Sequence, residues 1–119
     1  MKKLIILLIA SFAIPSCKDE PKVTASLICN VQNPIEDLTW LSNILNNKTD
    51  CKIYSGASLY SYVYNNATVF YLQNPLSSHG ICVESVYDCN GSSLFSWIDE
   101  SEWSNFKAKR TNEKLIWKN

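Results

Sequence analysis

The sequence lacks a hydrophobic run long enough to cross a bilayer, an excess of either charge, and any internal repeat. Its longest apolar stretch, from Leu4 to Ile14, has 11 residues, whereas a membrane-spanning helix needs about 20. The 119 residues include 11 basic and 11 acidic side chains, so no basic field would attract nucleic acid. These absences argue against a transmembrane helix and against a nucleic-acid partner.

The first 16 residues have the layout of a secretory signal peptide. Lys2 and Lys3 precede the apolar stretch, and Ser16 stands directly before Cys17. The segment Ile14-Pro15-Ser16-Cys17 resembles a lipobox, in which an aliphatic residue lies three positions before the cysteine and a small residue directly before it. We therefore predict cleavage after residue 16 and acylation of Cys17, which would hold the mature protein on a membrane.

The next three residues, Lys18-Asp19-Glu20, are charged. They resemble the Lys-acid-acid signal that sends many Bacteroidetes lipoproteins to the outer face of the outer membrane. The alternative is that a short charged run is simply a solvated tether. The sequence thus predicts a lipid-anchored protein of the outer membrane, and leaves the outer and inner faces of that membrane both open.

Four cysteines remain once Cys17 carries lipid, namely Cys29, Cys51, Cys82 and Cys89. An even number in an exported chain predicts disulfides. Six residues separate Cys82 from Cys89, so an extended strand between them would hold them too far apart to pair. Cys82 should then pair with Cys29 or Cys51, and Cys89 with the other. The spacings do not match the Cys-x₂₋₄-Cys pairs of structural zinc sites, and we predict neither metal nor cofactor.

Residues 17–32 are mainly polar and are expected to form a tether, followed by a single domain over residues 33–119. The segment Asn33-Pro34-Ile35-Glu36 has the N-cap, proline and acid of a helix start. An apolar stripe at helical spacing follows, formed by Ile35, Leu38, Leu41, Ile44 and Leu45. A second helix should begin at Asp99, with Trp103 and Phe106 on one side.

Between these helices the apolar residues alternate with a period of two, which indicates strands. Asn65-Asn66 suits a two-residue hairpin turn, and that register pairs Tyr62 with Val69 and Tyr60 with Tyr71. A second hairpin is expected at Asn90-Gly91, and the predicted strands after the first hairpin span residues 81–87, 94–97 and 115–117. The predicted fold is α+β, an antiparallel meander of about five strands with two helices packed on one face.

Three segments resemble a family of small Bacteroidetes lipoproteins. They are the helix opening at residues 33–41, the turn Tyr87-Asp88-Cys89-Asn90-Gly91, and the ending at residues 112–118, which contains Leu-Ile-Trp-Lys. The resemblance covers about residues 33–118 and implies a cysteine-containing sheet. It implies no activity, because that family has no assigned function. The chain departs from the family pattern in the loop Gln73 to Gly80, where relatives carry adjacent cysteines.

The candidate ligand-contact residues are four tyrosines that share one sheet face in the predicted hairpin, Tyr60, Tyr62, Tyr64 and Tyr71. Such a stripe can contact glycans or protein partners, since tyrosine combines contact area with a polar tip. The alternative is a sheet face covered by a helix. The basic residues near the end of the chain complement the dipole of the second helix, or face a membrane.

His79 is the sole histidine, and no Ser, Cys or carboxylate accompanies it at a recognisable catalytic spacing. We therefore predict a non-catalytic binding or accessory module of the cell envelope, with the membrane as partner through its anchor and an envelope protein or glycan as ligand. The alternative function is a small envelope hydrolase that uses His79.

Overall fold

The computed structural model describes residues 27–75 and 84–119. Its elements, in chain order, are α1 (Pro34–Asp37), α2 (Thr39–Leu45), β1 (Ser58–Tyr64), β2 (Ala67–Gln73), β3 (Ser85–Tyr87), β4 (Ser93–Ser96), α3 (Glu100–Lys109) and β5 (Thr111–Lys118). The strands form one antiparallel sheet in the order β4-β3-β2-β1-β5. The described residues therefore confirm an α+β fold built on a five-stranded antiparallel sheet.

The first predicted helix is present but is interrupted at Leu38, whose extended backbone separates α1 from α2. Asn33 precedes Pro34 as expected, yet its side chain makes no capping hydrogen bond. Instead the Asn33 backbone N–H donates to Asp37 Oδ2 at 3.0 Å, so Asp37 and not Glu36 supplies the acid of the helix start. The predicted apolar stripe is retained, since Leu41 and Leu45 are buried.

The hairpin between β1 and β2 has the predicted register. Asn65 and Asn66 both have positive φ, 50° and 61°, as a tight turn between twisted strands requires. Tyr60 pairs with Tyr71, and Tyr62 pairs with Val69. Side chains at paired positions share a face of the sheet. This register therefore places Tyr60, Tyr62 and Tyr71 on one face and Leu59, Phe70 and Leu72 on the other.

The two helical regions cover opposite faces of the sheet. Leu41 and Leu45 of α2 pack in one buried cluster with Leu59, Phe70 and Leu72. A second buried cluster, on the other face, contains Phe106 of α3 together with residues of four strands, namely Tyr62, Tyr64, Val69, Tyr71, Val86 and Phe95. Neighbouring residues of a strand point to opposite faces of the sheet. The contacts therefore place α2 and α3 on opposite faces, whereas the sequence predicts both helices on one face.

The later strands differ in extent from the prediction. The turn between β3 and β4 has five residues, 88–92, and not the two of the predicted hairpin. The Asp88 carboxylate accepts the N–H groups of Asn90 and Ser92 and so stabilises this longer turn. β5 spans eight residues, whereas the pattern predicts three, because it pairs along the outer edge of β1. The sheet is thus a four-stranded meander whose fifth strand returns past α3 to the opposite edge.

Candidate functional site

The four candidate tyrosines share one sheet face, which α3 covers in part and which we call the tyrosine face. Tyr62, Tyr64 and Tyr71 are only 4%, 7% and 7% exposed. The Phe106 ring of α3 lies 5.4–6.0 Å from these three rings, in edge-on contact. A helix therefore covers the sheet at three of the four positions. Tyr60 is half-buried and stacks on Tyr71 at 6.4 Å, so it keeps accessible ring surface.

Two of the buried tyrosines donate hydrogen bonds to carboxylates. The Tyr62 hydroxyl donates to Glu113 Oε2 at 2.5 Å, and the Tyr71 hydroxyl donates to Glu84 Oε2 at 2.8 Å. Burial, and then the hydrogen bond to the carboxylate, raises the pKa of both tyrosines above the ordinary value of 10.0. Both hydroxyls therefore remain protonated donors, and each carboxylate has further lone pairs for other donors.

Arg110 directly follows α3 and lies over the same aromatic rings. Its guanidinium carbon is 4.5 Å from the ring centre of Tyr62 and 5.1 Å from that of Phe106. Lys107, one turn earlier, lies 5.9 Å from the ring centre of Trp103. Arg110 thus makes a cation–π contact with the tyrosine face, Lys107 makes one with a ring of its own helix, and both complement the helix dipole.

The border of the tyrosine face combines three kinds of binding group. Tyr60 offers ring surface, Arg110 offers N–H donors, and Glu84 and Glu113 offer acceptors. These groups can bind a polar partner through stacking and hydrogen bonds. Glu113 and Arg110 were not candidates in the sequence, because their positions depend on how β5 pairs with β1 and on where α3 ends.

Two of the three motif segments, residues 33–41 and 87–91, contact each other in the fold. The Trp40 indole N–H donates to the Cys89 carbonyl at 3.0 Å, and the Trp40 ring lies against Gly91. Comparison with protein-family models, with curated proteins and with solved structures gave no significant match. The contacts assign a structural role to Trp40 and Gly91.

Cys89 forms a disulfide with Cys29, one of its two predicted partners, with Cα atoms 5.6 Å apart. Cys51 is also disulfide-bonded. The other predicted sites, Cys17, His79 and Cys82, lie outside the described residues. Within residues 27–75 and 84–119, no three potential metal-ligating side chains are grouped together. The same part of the chain has no helix long and apolar enough to cross a membrane.

Proposed function

We propose that this chain is an exported lipoprotein, held on the outer membrane by lipid on Cys17, whose domain is a non-catalytic binding or accessory module. The Cys29–Cys89 disulfide is the structural observation that supports export, since disulfides persist in oxidising compartments. It joins the turn before α1 to the turn after β3 and so spans the domain. The lipobox-like segment at residues 14–17 supplies the anchor in this proposal.

The border of the tyrosine face supports the binding role. Tyr60, Arg110 and Glu113 bring a ring, a cation and a carboxylate to an accessible part of the sheet. An envelope glycan or an envelope protein are the partners that suit such groups, because both offer hydroxyl or amide groups beside apolar surface. In this proposal the resemblance to small Bacteroidetes lipoproteins reflects a shared location.

Protease shaving tests the location. We expect protease added to intact cells to digest the domain, with a periplasmic protein in the same cells remaining intact as the control. The triple variant Lys18→Ala, Asp19→Ala, Glu20→Ala should become protected, because it lacks the signal proposed for export to the outer face. Digestion of the original chain only after the outer membrane is opened would contradict surface display.

A further inference from the structure

A second surface feature lies beside the tip of the β1–β2 hairpin. It is a pocket of about 330 Å³, near the lower end of the volumes that small-molecule sites have. Three of its lining side chains, Tyr64, Val69 and Phe95, are at most 8% exposed. Leu94 lines it as well and is 47% exposed. We call it the hairpin pocket, and its surface is mainly apolar and aromatic.

The hairpin pocket also carries negative charge. Asp88 and Glu102 line it, and none of its described lining residues is basic. Asp88 Oδ1 accepts the backbone N–H groups of Asn90 at 2.8 Å and Ser92 at 2.9 Å, which fixes the position of that carboxylate. Two acids beside aromatic rings attract cations, and aromatic faces add a cation–π contribution.

We propose that the hairpin pocket binds a small organic cation, a primary ammonium group carried on a compact apolar body. The apolar body would contact Val69 and Phe95, and the ammonium group would lie near Asp88 and Glu102. This volume fits a body the size of one aromatic ring with a short stem. The pocket contains none of the border residues Tyr60, Arg110 and Glu113, so the inference goes beyond the function proposed above and its failure would leave that function and the lipid anchor in place.

Nuclear magnetic resonance titration of the mature lipidated protein in detergent micelles tests this. The probe is phenethylammonium, compared with the neutral 2-phenylethanol and the anionic 3-phenylpropanoate. We expect phenethylammonium to shift the signals of Tyr64, Leu94 and Phe95 and to bind about fivefold more tightly than the alcohol, with the anion weakest. Shifts at these residues report the pocket itself, whereas partition of a probe into the micelle affects all variants equally.

Matched variants separate charge from apolar contact. Glu102→Gln should reduce the preference for the ammonium over the alcohol by about half or more, while Glu100→Gln, in the same turn of α3 but outside the pocket, should keep it. Leu94→Ser should weaken the ammonium and the alcohol alike. Equal binding of the ammonium and the alcohol, a preference for the anion, or no shifts at the three reporting residues would each overturn the proposal.

Discussion

At the residue scale, Trp40 connects the first helical region to the turn after β3. Its indole N–H donates to the Cys89 carbonyl, and its ring lies 5.7 Å from the rings of Phe70 and Tyr87. Gly91 lies against the same ring, so the turn can approach only because this residue has no side chain. Trp40 therefore fixes the position of the turn that carries the disulfide.

A matched pair of glycine substitutions tests this contact. Gly91 and Gly56 both have left-handed φ, +84° and +87°, so alanine is strained at either position, by roughly 1–2 kcal/mol. A Cβ at Gly91 would lie 2.6 Å from two ring atoms of Trp40, whereas at Gly56 the nearest neighbour is Pro75 at 3.7 Å. We expect both substitutions to lower the free energy of unfolding, measured in urea. The loss should be about 1–3 kcal/mol larger for Gly91→Ala than for Gly56→Ala. Equal losses would show that Trp40 moves aside without cost.

The hydroxyls of Tyr62 and Tyr71 predict a loss of stability in alkali. The pKa of each is raised in the folded protein, so their contribution to stability is fully present below about pH 10, the pKa of unfolded tyrosine. This contribution is lost as the pH rises above about 10 and through the raised pKa of each tyrosine in the folded protein. The double variant Tyr62→Phe, Tyr71→Phe should be less stable at pH 7 by about 1 kcal/mol per hydrogen bond.

The measurement is the unfolding free energy of the original chain and the variant between pH 8 and about 12. The double variant should lose less stability over this interval, since its unfolded state no longer gains by ionising these two groups. Tyr54→Phe, at an exposed tyrosine, is the control and should follow the original chain. Parallel pH profiles for the original chain and the double variant would contradict the account.

The sequence predicts the tyrosine pairs but not the carboxylates that they contact. Asn65-Asn66 fixes the hairpin turn, and the turn fixes which residues face one another. Glu113 reaches Tyr62 because β5 pairs with β1 so that Lys114 lies opposite Ser61, which sets Glu113 opposite Tyr62. This pairing joins strands that are far apart in the sequence, so no local period-two pattern specifies its register.

At the element scale, α3 covers the tyrosine face of the sheet and buries most of it. The spacing of Trp103 and Phe106 predicts which side of this helix is apolar, and Phe106 is fully buried. The same spacing does not say which sheet face the helix covers, since both faces of the hairpin are apolar. The chain from the edge strand β4 to the edge strand β5 runs through α3, whose Phe106 packs on the tyrosine face.

The Cys29–Cys89 disulfide ties the segment before α1 to the turn between β3 and β4. The two cysteines are 60 positions apart. In the chain-entropy description, closing a loop of this length lowers the entropy of the unfolded chain and so raises the free energy of unfolding by about 4 kcal/mol. We expect the double variant Cys29→Ser, Cys89→Ser to lose about 2–4 kcal/mol of unfolding free energy in thermal or urea unfolding. Unchanged stability would show that core contacts alone fix these two segments.

At the scale of the whole molecule, the domain is a thin sheet with one buried cluster on each face. Small domains bury little apolar surface, so a disulfide contributes a large share of the net stability. The sequence predicts the fold class and the approximate positions of all five strands, because these depend on local periodicity and turn residues. The return of β5 to the far edge is a long-range pairing, and no local pattern specifies it.

In the proposed function, lipid on Cys17 holds the domain on the membrane. The most direct test is the intact mass of the protein purified from membranes of cells that express the full chain. We predict a mass equal to the peptide that begins at Cys17, with its disulfides formed, plus the attached acyl groups, and we predict that Cys17→Ser abolishes this species. A soluble product that begins at another residue, or a membrane form that still carries residues 1–16, would contradict the account.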